Sequence, residues 1–165
     1  MTVKTKNKIG TKKRNKTSKR TYLREIRIKF KKKRVKAGSP VGKRIADSEQ
    51  VVKLFEDLRD EAKENLIAIS LDAKLKIICF EVVAIGSVAS IYLKPGEAVR
   101  ASVALNSSGI IILHNHPSGD PTPSPQDKKF TKDLTVVMDA LGFEFHDHII
   151  IGDECHFSFA DEGFL

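Results

Sequence analysis

His114 and His116 stand two residues apart, and Asp127 follows eleven residues after His116. The run before them, Ile110-Ile111-Ile112-Leu113, is short, continuous and largely β-branched, which predicts a buried strand. Residues i and i+2 of a strand face the same way, so the two imidazoles can converge on one point. A borderline divalent ion such as Zn²⁺ takes two histidine nitrogens and a carboxylate, each at about 2.0–2.2 Å. The loop His116-Pro117-Ser118-Gly119-Asp120-Pro121-Thr122-Pro123 is a structured turn by composition. Ser124-Pro125-Gln126-Asp127 then reads as a helix start, with Ser at the cap, Pro in the first turn and an acid three residues on. That puts Asp127 at the helix end nearest the loop. Three protein ligands and one open position describe a catalytic zinc site, because the open position holds water. On the residues alone, Asp127 could be only a capping acid and a lone His-x-His is weak, but two histidines on one strand face, a tight loop and a helix-start carboxylate together put the metal reading well ahead.

The spacing His114-x-His116, seven residues, Ser124, two residues, Asp127 resembles the JAMM (MPN+) metalloprotease signature. The fuller string from His114 to Ser124, the segment Asp147 to Gly152 and the ending Phe157 to Leu165 are similar to the RadC branch of that superfamily. The resemblance covers roughly residues 45–165 and reaches more weakly back to about Tyr22, as in short RadC-like proteins without a helix-hairpin-helix region. It implies a deaminase-like α/β/α sandwich with a mixed β-sheet. It implies Zn²⁺ ligation by His114, His116 and Asp127, with Glu64 as general base and Ser124 helping to stabilise an oxyanion. Glu64 precedes the apolar run Leu66-Ile67-Ala68-Ile69. Glu81 and Glu97 compete with it, and each also reads as a solvated surface acid. His146 and His148 form another His-x-His. His148, with Asp147 beside it, is a candidate partner standing behind the metal ligands. A polar residue satisfied at a strand end explains these positions equally well. The implied substrate is a peptide or isopeptide bond, and the RadC branch carries a DNA-repair label.

The elements that must position these groups are legible in outline. Asp47 or Ser48 caps a helix carrying Val51, Leu54, Phe55, Leu58 and Ala62. Leu66–Leu71 and Leu75–Ile85 read as a hairpin, and 86–92 as a further strand. Pro95 starts a helix that ends at 106–109. The helix from Ser124 to Leu141 has Phe130, Leu134, Val137, Met138 and Leu141 inward and Gly142 as its stop. Strands are expected at 143–145, 148–151 and 155–159. Hairpins mixed with helices suggest an α/β sandwich, in agreement with the family fold.

Charge divides the chain. Residues 1–44 hold 19 Lys/Arg and one acid, whereas residues 45–165 hold 10 Lys/Arg and 20 Asp/Glu. Residues 1–20 lack the apolar surface needed to offset ordering entropy and are expected to be disordered alone. Residues 21–44 read as a basic edge strand, with Ile26, Ile28 and Phe30 on one face, and a linker. Residues 45–165 are expected, by the resemblance, to form the metal-binding domain. Lys12, Lys13, Arg14, Lys31, Lys32, Lys33 and Arg34 are candidate non-specific phosphate contacts for nucleic acid. With no aromatic before Tyr22, base stacking is not expected of the arm. Neither a secretory segment nor a long apolar span is read, so no membrane partner is expected and the cytoplasm is the expected compartment. Cys79 and Cys155 are expected as buried free thiols. The residues do not specify the oligomeric state.

Three other readings compete with this one. An HNH nuclease disperses its residues over a ββα unit and does not place them side by side. A zinc deaminase needs a Pro-Cys-x-x-Cys motif, which this chain lacks. A non-catalytic DNA- or protein-binding module that keeps the metal site is the serious alternative.

Overall fold

The structure, a computed structural model, describes residues 34–86 and 93–165. The strand expected from Tyr22 and all of the candidate phosphate contacts except Arg34 fall outside them, as do residues 87–92. Arg34 is exposed, and neither it nor Val35 is in a strand.

Asp47 caps α1 (Ser48–Leu54), its carboxylate accepting the Gln50 N–H at 2.8 Å. The helix does not run on to Ala62. Phe55 leaves helical geometry at φ −128°, packs edge-on against Phe80, and the chain tightens into a 3-10 turn, Glu56–Asp60. β1 (Asn65–Leu71) and β2 (Ile77–Ile85) follow as an antiparallel hairpin. The next helix is two short pieces, α2 (Pro95–Ala98) and α3 (Arg100–Leu105), stopped by Asn106 in the left-handed region. β3 (Gly109–Asn115), α4 (Pro125–Leu141), β4 (Glu144–Ile151) and β5 (His156–Ser158) complete the described elements. Two of the three strands expected near the C-terminus are therefore one, β4.

The sheet order is β2-β1-β3-β4-β5, with β3 and β4 parallel and the other pairs antiparallel. This mixed sheet with helices is the expected α/β arrangement. Strand alternation sorts its side chains. Ile67, Ile69, Ile111, Leu113, Ile149 and Ile151 pack with α1 on one face. Leu66, Ala68, Ile110 and Ile112 pack with Ala98 and Val99, and with Leu134 and Met138 of α4, on the other. Leu141 is exposed, not inward.

A bulge between Ile110 and Ile111 breaks the alternation in β4: Phe145 pairs with Ile110 and Asp147 with Ile111, leaving His146 over. His146 and Asp147 both line a cavity of about 210 Å³ on the α1 face. His146 therefore does not share a face with His148. The two thiols are free; Cys79 is half-buried, and Cys155 is exposed because it lies in the turn before β5 and not in a strand. Among the described residues no helix is long and apolar enough to cross a membrane.

Candidate metal centre

The α4 face of β3 carries His114, fully buried, and the chain just beyond the strand carries His116. Their Nε2 atoms lie 3.0 Å apart. Asp127, in the first turn of α4, places Oδ1 3.4 Å from His114 Nε2 and Oδ2 3.5 Å from His116 Nε2. Glu64, just before β1, also reaches the pair, with Oε1 3.7 Å from His116 Nε2. Glu64, His114 and His116 bring ligand atoms within 4.8 Å of one another. Glu64 and His116 also line an open cleft of about 550 Å³. The competing acids lie elsewhere: Glu81 pairs with Arg100 at 3.2 Å, and Glu97 sits exposed in the first turn of α2.

One arrangement of protons satisfies these hydrogen bonds. The Thr131 hydroxyl donates its one proton to the Asp127 carbonyl at 2.8 Å. It must then accept from His148 Nδ1, 2.7 Å away. Burial, with His114 close by, pushes the His148 pKa well down, so the ring is neutral and its Nε2 is bare. That Nε2, 2.9 Å from His114 Nδ1, accepts the Nδ1 proton. Burial likewise pushes His114 down to about 4, so its Nε2 is bare too. His116 Nδ1 donates to the Asp120 carbonyl at 2.8 Å, which leaves its Nε2 as the titrating atom.

Two imidazole lone pairs and a carboxylate thus face one point. Such a set repels itself unless a cation stands between, and a divalent metal fits the donors. A proton is the other occupant. Asp127, before the opposing effect of burial, raises the His116 pKa. Burial pushes the Asp127 carboxyl up, but His116, His114 and two Ser124 donors outweigh it and hold the group well below its ordinary range. Proton and metal compete for one seat.

The loop that aims His116 is braced. Its N–H donates to the Ile151 carbonyl at 2.9 Å, and its carbonyl accepts the Gly119 N–H at 2.9 Å. Gly119 has φ +81°, and a Cβ there would strike the Asp153 carboxylate. Gly152 is equally confined, by the Gly119 carbonyl. The Arg59 guanidinium ties this turn to the 3-10 turn through the carbonyls of Gly152 and Asp153.

Residues 45–164 match the family model described as the RadC-like JAB domain. The chain belongs to this family. UPF0758 proteins of Aquifex aeolicus and Caldanaerobacter subterraneus are 41% and 39% identical to it over 121 residues, 73% of this chain and 52% of each relative. One of Methanosarcina mazei is 40% identical over 112 residues, 68% of this chain and 49% of the relative. The RadC-like chain spans about half the length of the curated relatives it matches.

The RadC-like fold gathers four of the five residues expected at the reaction centre, His114, His116, Asp127 and Glu64, around one point. Ser124 stands one step back as the helix cap. Its hydroxyl donates to Asp127 Oδ2 at 2.6 Å and accepts the Asp127 N–H at 3.2 Å. His148 stands directly behind His114. Asp147 does not belong there. Alternation turns it to the α1 face, where it accepts from the Ser158 hydroxyl at 2.6 Å and the Ala160 N–H at 3.0 Å. Burial raises its pKa in spite of these donors. Thr131 was not singled out in the sequence. Its signal was the i+4 spacing from Asp127, which stacks the two on one helix face.

Proposed function

We propose that this chain is a zinc-dependent hydrolase of the JAMM metallopeptidase type, acting on peptide or isopeptide bonds. The observation that carries the reading is the pairing of a converging His114–His116–Asp127 set with a second carboxylate, Glu64, at an open cleft. His114, His116 and Asp127 would hold the ion, and imidazole with carboxylate suits zinc. When bound, zinc would supply a water with its pKa lowered toward about 7 and a Lewis acid for the carbonyl. Glu64 Oε1 takes a proton from the attacking water and delivers it to the leaving nitrogen. His148 and Thr131 keep the His114 lone pair directed at the seat. The test is a screen of fluorogenic peptides and isopeptide-linked conjugates with zinc-loaded protein. Cleavage that a chelator stops and zinc restores is expected; no cleavage of any member would contradict the reading.

Ser124 is the candidate oxyanion donor, but its single proton is directed at Asp127 Oδ2. Ser124→Ala is therefore expected to cost about 1 kcal/mol in stability through the lost cap, with turnover little changed. Chemical denaturation and steady-state rates separate the roles. A rate loss of about 10²–10³ without a stability change would assign the serine to the oxyanion.

The charge division favours a second reading, a DNA- or protein-binding module that retains the metal site, with the basic arm contacting phosphates non-specifically. A link to DNA repair or mobile DNA belongs to that setting. Binding to duplex DNA that falls steeply with salt and survives His116→Ala would support it.

A further inference from the structure

We infer that Asn115 is the positioning residue for Glu64, acting through the backbone between Glu61 and Asn65. The inference rests on the general-base reading of Glu64. Asn115 lies between the two histidines in the chain, and alternation sends its side chain to the opposite face of the sheet. It is 1% exposed. Its Oδ1 accepts the backbone N–H of Asn65 at 2.8 Å. Its Nδ2 donates to the carbonyls of Glu61 at 3.2 Å and Lys63 at 3.1 Å. All three bonds go to one short stretch more than 49 positions away, and Glu64 lies inside it.

The geometry has a cause. The β1–β3 ladder ends at Leu66 opposite His114. The Asn115 amide continues it by one step, taking the N–H that would otherwise lack a partner. On the far side the Glu64 carbonyl accepts the Gly86 N–H at 2.8 Å. The stretch is gripped from both flanks, and Glu64 reaches His116 from it. β3 therefore carries His114 and the clamp, and His116 follows it directly, so the Asn115 side chain ties the Glu64 stretch to the strand end that leads into His116. No other side chain of this size supplies two donors and one acceptor in a plane. Aspartate keeps the acceptor but turns a carboxylate toward two carbonyls; alanine leaves buried backbone groups unpaired.

The test is a double-mutant cycle on protein loaded with Co²⁺, whose visible bands report the metal's surroundings. The pH midpoint of the spectral change is read for wild type, Glu64→Gln, the uncharged Asn115→Leu and the double variant. Co²⁺ stoichiometry and thermal melting are measured alongside. Glu64→Gln is expected to lower the midpoint by about one pH unit, the size of effect that loss of a neighbouring negative charge produces. Asn115→Leu should lower it too with Co²⁺ retained, and the double variant should match Glu64→Gln alone. A wild-type midpoint in Asn115→Leu, or additive shifts in the double variant, overturns the inference and leaves the general-base reading standing. No shift in Glu64→Gln overturns both. A wild-type measurement covers the case in which the variants do not fold. Amide exchange at Asn65 should be as slow as at Leu66 and Ile67, and exchange at the free-chain rate would overturn the clamp.

Discussion

Glu64→Gln is expected to leave zinc bound and to reduce hydrolysis by about 10²–10⁴, the range carried by a positioned general base. Two carboxylates flank the histidine pair, and their placements differ. Asp127 is 2% exposed, contacts both histidines and is held by Ser124. Glu64 lies 3.7 Å from His116 and opens onto the cleft. The buried acid suits a ligand and the cleft-facing acid a proton carrier. Asp127→Asn should therefore lose the metal where Glu64→Gln keeps it. Metal content and single-turnover rates of both variants check this. Loss of zinc on Glu64→Gln with retention on Asp127→Asn would exchange the two roles.

The second large effect is expected at His148. Its bare Nε2 is what keeps the proton on His114 Nδ1 and the lone pair on His114 Nε2. His148→Leu leaves that buried N–H without an acceptor, at a cost of about 1–3 kcal/mol. It also removes the ring stacked on Phe159 at a centroid distance of 4.9 Å. Freed from its partner, His114 can take the other tautomer, and zinc affinity should fall by about 10–100-fold. Thr131→Val, close to isosteric, should shift affinity in the same direction by less. Competition titration with a chromophoric chelator reads both values. Unchanged affinity in His148→Leu would detach the relay from the metal seat.

Much of this centre is legible in the sequence because it obeys two short-range rules. Period-2 alternation puts His114 and His116 together, and the Ser-Pro-x-Asp start puts Asp127 at the mouth of α4. The structure has the full reciprocal capping box at Ser124 and Asp127. The same alternation misleads at His146, because a one-residue bulge cannot be seen in a period. It also separates Asp147 from His148, neighbours in the chain that serve opposite faces. Cys155 lies beyond the strand's edge, and α1 ends where Phe55 turns inward. Asn115 escapes notice for a different reason: it acts through partners 50 or more positions away in the chain, so no local pattern marks it. Thr131 has a local mark in its i+4 spacing from Asp127, but the histidine it orients lies on another strand.

The most direct measurement is the metal content of purified wild type beside the His114→Ala/His116→Ala variant, by elemental analysis without added zinc. About one zinc per chain, lost in the double variant, is the predicted result. A wild type that holds no metal even after zinc is added would contradict the hydrolase account, and the basic arm's binding to DNA would become the leading function.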